Sequence, residues 1–209
     1  MGRADRYRWV APVYDLVSGE PVYRRGRRLA LGMLGLRPGE RVLDVGCGTG
    51  LNHEGVRTAI GAGGRLVGLD SSPQMLARAR ARGLATELVQ ADAAAVDPVE
   101  LVALAGGRFD AVLATYSLSL MPHWPAAWER VLAVAAPGAR LAVVDMQRPV
   151  GRSVALDRLA RAACALGGAD IEAHPWTAVE RDCDRVRSAS AVGGHIQVRV
   201  GVRRSGPGS

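Results

Sequence analysis

Lysine does not occur in this 209-residue chain, so all 27 basic side chains behind its formal charge of +7 are arginines. That asymmetry reads as codon bias rather than chemistry. Aromatic residues make up only 4% of the chain and Phe109 is the single phenylalanine, so Val, Leu and Ala must fill the interior. Cysteine is equally sparse: Cys47, Cys164 and Cys183 are odd in number, widely spaced and without a Cys-x-x-Cys pair. This excludes a disulfide framework and points to reduced thiols with no structural metal. No apolar run approaches the roughly 20 residues that span a bilayer. The start, with Arg3, Asp5, Arg6 and Arg8, lacks the apolar stretch of a signal peptide, so a cytoplasmic protein is expected.

The length suits one domain able to enclose a core and a small-molecule pocket, here residues 1–205, with 1–30 as an N-terminal arm or lid and 206–209 as a frayed tail. Arg24, Arg25, Arg27 and Arg28 form a basic cluster. A solvated helix face is the simpler reading, and peripheral contact with an anionic membrane is the alternative. No Arg-Gly repeat, zinc-finger spacing or aromatic RNA-binding motif supports a nucleic-acid partner.

Short apolar runs alternate with helical stretches, the pattern of βα units around a parallel sheet. Strands are predicted at Arg41–Val45, Arg65–Asp70, Ala85–Gln90, Asp110–Thr115 and Arg140–Asp145. Helices are predicted at Ser72–Arg82, after a Ser-Ser-Pro start signal, at Ala126–Ala135 and near Ser153–Leu166. Two further β-rich runs, Thr177–Arg181 and His195–Val202, complete the pattern, and the alternation of the second fits an antiparallel edge hairpin.

The segment Val42-Leu43-Asp44-Val45-Gly46-Cys47-Gly48-Thr49-Gly50 places three glycines at alternating positions directly after a strand. Such a turn lets a ligand approach the backbone closely. It lacks the G-x-G-x-x-G spacing suited to a pyrophosphate, and Asp44 would repel phosphate, so a cationic or zwitterionic ligand fits better. Asp70 closes the second strand about 20 residues past the turn, where an acid takes ribose hydroxyls. Asp92, after the third strand, can accept from an adenine amine while the Ala93 amide meets a ring nitrogen. Each acid alone has a plain alternative, a helix cap for Asp70 and a turn former for Asp92. Together behind a glycine turn they face one adenosine.

On these residues the chain resembles the class I S-adenosylmethionine (SAM) methyltransferases over roughly Arg37 to Asp145. The resemblance implies an α/β Rossmann-like fold: a mostly parallel seven-stranded sheet, helices on both faces and a C-terminal antiparallel hairpin. It implies that SAM is held by Asp44, Gly46, Cys47, Gly48, Gly50, Asn52, Asp70, Ser71, Met75, Asp92, Ala93 and Thr115, and leaves as S-adenosylhomocysteine. Cys47 is expected to lend its backbone rather than its thiol.

The run Tyr116-Ser117-Leu118-Ser119-Leu120-Met121-Pro122-His123-Trp124 is similar to one in bacterial lipid-headgroup N-methyltransferases, a broad group that also includes quinone C-methyltransferases. The implied acceptor is a small molecule, first an amine of a lipid headgroup. The alternatives are a phenol, quinone or natural product methylated on oxygen or carbon, or a protein that binds SAM without transferring from it. Pro137-Gly138-Ala139 stands where relatives carry Pro-Gly-Gly, a change expected to hold if Ala139 keeps a negative φ. Tyr116, His123, Asp145 and His53 are candidates to take a proton or orient the acceptor; a cap of the following turn is the other role open to Asp145. Tyr14, and with it Tyr23, is a candidate to steady positive charge by its ring face, worth about 0.5–2 kcal/mol.

Overall fold

The computed structural model describes residues 20–148 and 170–204. Five runs of aliphatic and β-branched residues become parallel strands, most of them buried on both faces as such strands must be. They are β1 (Arg41–Val45), β2 (Arg65–Asp70), β3 (Glu87–Gln90), β4 (Phe109–Thr115) and β5 (Ala135–Met146). β6 (Cys183–Ala191) and β7 (Ile196–Arg203) run antiparallel, β7 pairing with β5 and β6 with β7. The seven strands lie in the order β3-β2-β1-β4-β5-β7-β6, with β3 and β6 at the margins. Strand order reverses between β1 and β4, and in open α/β sheets a ligand crevice opens at that point, beyond the carboxyl ends of the strands.

Helices cover both faces. On one, α1 (Glu20–Leu34) and α2 (His53–Ile60) bury Ala30, Leu34, Val56 and Ile60 against Val42, Leu66, Leu113 and Val144. On the other, α4 (Pro98–Ala105), α5 (Trp124–Val134) and α6 (Thr177–Asp182) bury Leu101, Ala127, Trp128 and Val179 against Leu43, Val67, Val112 and Val143. Trp128 donates its indole N–H to Asp182 at 2.7 Å, which ties α5 to the end of α6. Between β2 and β3 lies α3 (Pro73–Arg82), started by Ser72, whose hydroxyl accepts from the Met75 amide.

Two expectations need correction. Thr177–Arg181 is not a strand but the body of α6: the Thr177 amide and hydroxyl both turn back onto the His174 carbonyl, and Ala178 and Val179 are fully buried on the sheet. Packing outweighs the β-propensity of Thr and Val, and the strand starts one helix later, at Cys183. α1 runs from Glu20 to Leu34, across residue 30. The Arg cluster does not share one face: Arg24, Arg25 and Arg28 are exposed while Arg27 is 8% exposed and faces inward. In the Pro137–Ala139 segment the expectation holds. Gly138 takes the positive φ of 75°, and Ala139, not among the positive-φ residues, is buried. The helix read near Ser153–Leu166, the tail at 206–209, Cys164 and Tyr14 lie outside the described residues.

Candidate functional site

All five parallel strands end on one edge, and the pairing register puts the motif residues side by side there. Asp44 lies opposite Gly68, Asp70 opposite Gln90, and Thr115 opposite Val144. Beyond β1, Gly46, Gly48 and Gly50 take φ of 65°, 55° and 78°, a region that side chains rarely enter. A Cβ on Gly46 would sit 2.4 Å from that of Ser117, and one on Gly50 2.6 Å from the His53 ring, so two of the three turns are packed from below. Around Gly48 there is open space.

Asp70 closes the turn. Its Oδ2 accepts from the Gly48 amide and its Oδ1 from the Ser72 amide, both at 2.8 Å. Burial pushes its carboxyl above the ordinary range, the two amides pull it back, and the charge of Asp44 raises it again. A carboxylate offers about four lone-pair sites, so acceptor capacity remains beyond these bonds. Asp92, one strand over, is exposed; its Oδ1 accepts from the Ala94 amide at 2.9 Å, and Ala93 is buried beside it.

Beneath the turn lies a buried polar cluster. Asp44 is wholly inaccessible, with Asn52 Nδ2 at 3.1 Å from both of its oxygens and His53 Nε2 at 3.5 Å. It can therefore act on a ligand only through its field and through Asn52. Asn52 Nδ2 also donates to Thr115 Oγ1 at 2.9 Å, while Asn52 Oδ1 is buried without a partner. An orphaned acceptor costs about 1–3 kcal/mol until a donor arrives. His53, offered by the sequence as a proton acceptor, is fully buried under the turn and out of reach of a substrate. Burial, then the charges of Asp44 and Asp70, push the Cys47 thiol strongly upward, so it stays protonated and is no nucleophile.

The remaining candidates separate. Ser71 is exposed and Met75 is buried at the start of α3. His123 is exposed where α5 begins, and its side chain makes no capping bond. Asp145 faces inward: it accepts from the Ser119 hydroxyl at 2.7 Å and from the amides of Ser119 and Met146 at 3.1 and 2.9 Å. Its accessibility is nil, so it anchors the loop after β4 and is not open to an acceptor. Tyr116 stands at the edge with φ +55°, a conformation that costs a non-glycine residue about 1–3 kcal/mol. Its hydroxyl donates to the Tyr23 carbonyl at 2.9 Å.

Sequence reasoning missed Ser117, whose hydroxyl donates to the Val45 carbonyl at 2.7 Å, and Ser119, whose hydroxyl donates to Asp145. A cavity of about 560 Å³ opens at the opposite edge, lined by Arg37, Glu40, Asp110, Arg140 and Arg203 among others. Glu40 is spent on Arg140, and Asp110 on the Arg41 amide. The motif residues are at the other end of the strands.

Residues 43–141 match the model of a methyltransferase domain family. The 2-phytyl-1,4-naphtoquinone methyltransferase of Synechococcus elongatus is 34% identical over an alignment of 145 residues that covers 67% of this chain and 61% of the other. The chain thus spans about three fifths of that relative's length. The nocamycin O-methyltransferase of Saccharothrix syringae is 31% identical over 208 residues, covering 91% of this chain and 71% of the other. Among solved structures, a methyltransferase in complex with the Haloferax volcanii Trm112 methyltransferase activator matches over 100% of both chains with a TM-score of 0.72 at 16% identity.

Proposed function

The chain belongs to the class I SAM-dependent methyltransferases, and on that premise we propose that it methylates a small hydroxylated or quinonoid ring, or a related natural product, on carbon or oxygen. The names of the relatives, a naphthoquinone enzyme and a natural-product O-methyltransferase, support this acceptor class. The lipid-amine acceptor rests on the motif likeness after β4 and in Gly48–Asn52, and neither of these relatives' names supports it.

The observation that carries the reading is the set of groups around the open Gly48 turn: two carboxylates whose fields overlap, and a buried asparagine oxygen lacking a donor. Acids at this point repel phosphate and attract positive charge. SAM, when bound, supplies a methyl group on a positively charged sulfur that needs no further activation. Asp70 would hold the ribose diol, Asp92 and Ala93 the adenine, and Asn52 Oδ1 the α-ammonium group. Asp44 fixes Asn52 in place and adds its charge from below. The residues after β4 orient the acceptor, and positioning of this kind accounts for roughly 7–11 kcal/mol of a barrier in well-aligned systems.

Calorimetry with S-adenosylhomocysteine tests the site. Wild type is expected to bind, and Asp70→Ala to lose at least about tenfold in affinity, since both the diol acceptor and the Gly48 bond go. Product formation on a panel of hydroquinones, phenols and aminolipids then tests the acceptor. Turnover confined to aminolipids would refute the ring assignment, and binding without turnover on any of them would leave a SAM-binding protein that does not transfer.

A further inference from the structure

The cavity of about 560 Å³ at the amino edge of the sheet is lined by four arginines, Arg37, Arg140, Arg185 and Arg203, and three acids, Glu40, Asp110 and Asp184. Pairing removes most of the negative charge. Glu40 meets Arg140 at 2.6 Å, and Asp184 meets Arg204, from outside the lining, at 3.0 Å. Asp110 gives its Oδ2 to the Arg41 amide. Arg203 donates to the Ala135 carbonyl, a neutral partner that Arg108 shares, so its charge is not compensated. Arg37 and Arg185 are exposed, and among the described residues their side chains have no hydrogen-bond or ion-pair partner. Three uncompensated guanidinium groups thus face one carboxylate.

Arg185 is turned into this space by a break in the β6 ladder. Between Asp184, opposite Val202, and Arg187, opposite Val200, two residues of β6 face Gly201 alone. Strict alternation would put Arg185 on the face of the buried Cys183. The extra residue gives that face to Val186, which packs on the core cluster that holds Cys183, and leaves Arg185 lining the cavity at φ +50°. That conformation is strained for a side chain other than glycine, and here the strain places a charge.

We propose that this cavity binds a small phosphorylated sugar or polyol, with Arg37, Arg185 and Arg203 on the phosphate group and Asp110 on a hydroxyl. Guanidinium groups keep their charge at every working pH and present paired N–H donors that match phosphate oxygens. The three come from separate elements, the turn before β1, the β6 bulge and the end of β7, so donors reach the ligand from several directions. A tetrahedral dianion can use all of them, whereas one fork satisfies a planar carboxylate. The acceptor capacity left on Asp110 suits a hydroxyl and would repel a second phosphate. The volume is in the range of small-molecule sites. Asp110 and Thr115 stand at opposite ends of β4, about 17 Å apart at the usual rise per residue, so this ligand and one at the Gly48 turn do not touch.

Calorimetry of the full chain with ribose 5-phosphate, inorganic phosphate and ribose, each with and without S-adenosylhomocysteine, tests this. Ribose 5-phosphate is expected to bind saturably, inorganic phosphate more weakly and ribose not at all, and S-adenosylhomocysteine should leave these affinities unchanged. Arg37→Gln lies in an exposed turn, and Arg185→Gly keeps a backbone conformation that glycine adopts without strain, so both variants should fold. Each is expected to weaken ribose 5-phosphate at least about tenfold and to leave S-adenosylhomocysteine binding within about twofold. Absence of saturable binding, displacement of ribose 5-phosphate by S-adenosylhomocysteine, or undiminished affinity in either folded variant overturns the proposal. Inorganic phosphate binding as tightly as the ester would overturn the part given to Asp110.

Discussion

Three hydrogen bonds converge on the carboxylate of Asp145, and they do not fully offset the cost of hiding its charge. Burial pushes its pKa up to about 6 against those bonds. The folded chain therefore keeps this proton to a higher pH than the unfolded chain, whose carboxyl titrates at about 4. The group's contribution to stability declines as pH rises from about 4 to about 6, by roughly 3 kcal/mol in all. Urea unfolding of wild type and Asp145→Ala at several pH values between 4 and 7 checks this: the wild-type advantage should shrink as pH rises, and a constant or growing advantage would contradict it. From the sequence, Asp145 has the position of a group at a strand end that could take a proton or orient an acceptor. Only the location of Ser119, which donates to it twice from across a loop, shows that it belongs to the scaffold. Asp70 is the opposite case, legible because strand, turn and acid follow one another at fixed spacing.

At the level of elements, local signals located what depends on local sequence. Ser72 with Pro73 starts α3, and the glycine turn follows β1 directly. What stayed hidden was the seating of α1, which joins residues 93 apart in the Tyr116–Tyr23 bond. Gly26 is the hinge of that contact: a Cβ there would lie 2.1 Å from the Tyr116 hydroxyl, 2.8 Å from Ile196 and 2.9 Å from Val144. Alanine improves helix propensity by about 0.5–1 kcal/mol, but overpacking against two branched side chains costs about 1–3 kcal/mol. The clash wins. Gly26→Ala should lower the urea midpoint, because α1 is forced away from Tyr116, Ile196 and Val144. The misread α6 teaches the same point, since Val179 is helical because it fills the sheet face beside Gly201.

For the whole molecule, the formal charge of +7 governs encounters more than folding. No helix among the described residues is long and apolar enough to cross a membrane. Arg24, Arg25 and Arg28 are exposed, and a basic side chain near an anionic surface is worth about 1 kcal/mol, so any attachment through these three should be weak and salt-sensitive. Co-sedimentation with phosphatidylglycerol vesicles at low salt, lost near physiological salt where screening sets in within about 8 Å, is the expected outcome. Retention on phosphatidylcholine vesicles would point to apolar insertion instead. The sheet itself carries a second consequence. One margin, β3, is only four residues long, and the other, β6, is interrupted between Asp184 and Arg187 with Arg185 at φ +50°. Neither offers a straight ladder for another chain to extend. Concentrated solutions and refolding mixtures of this protein should therefore resist the edge-to-edge stacking that leads to fibrils.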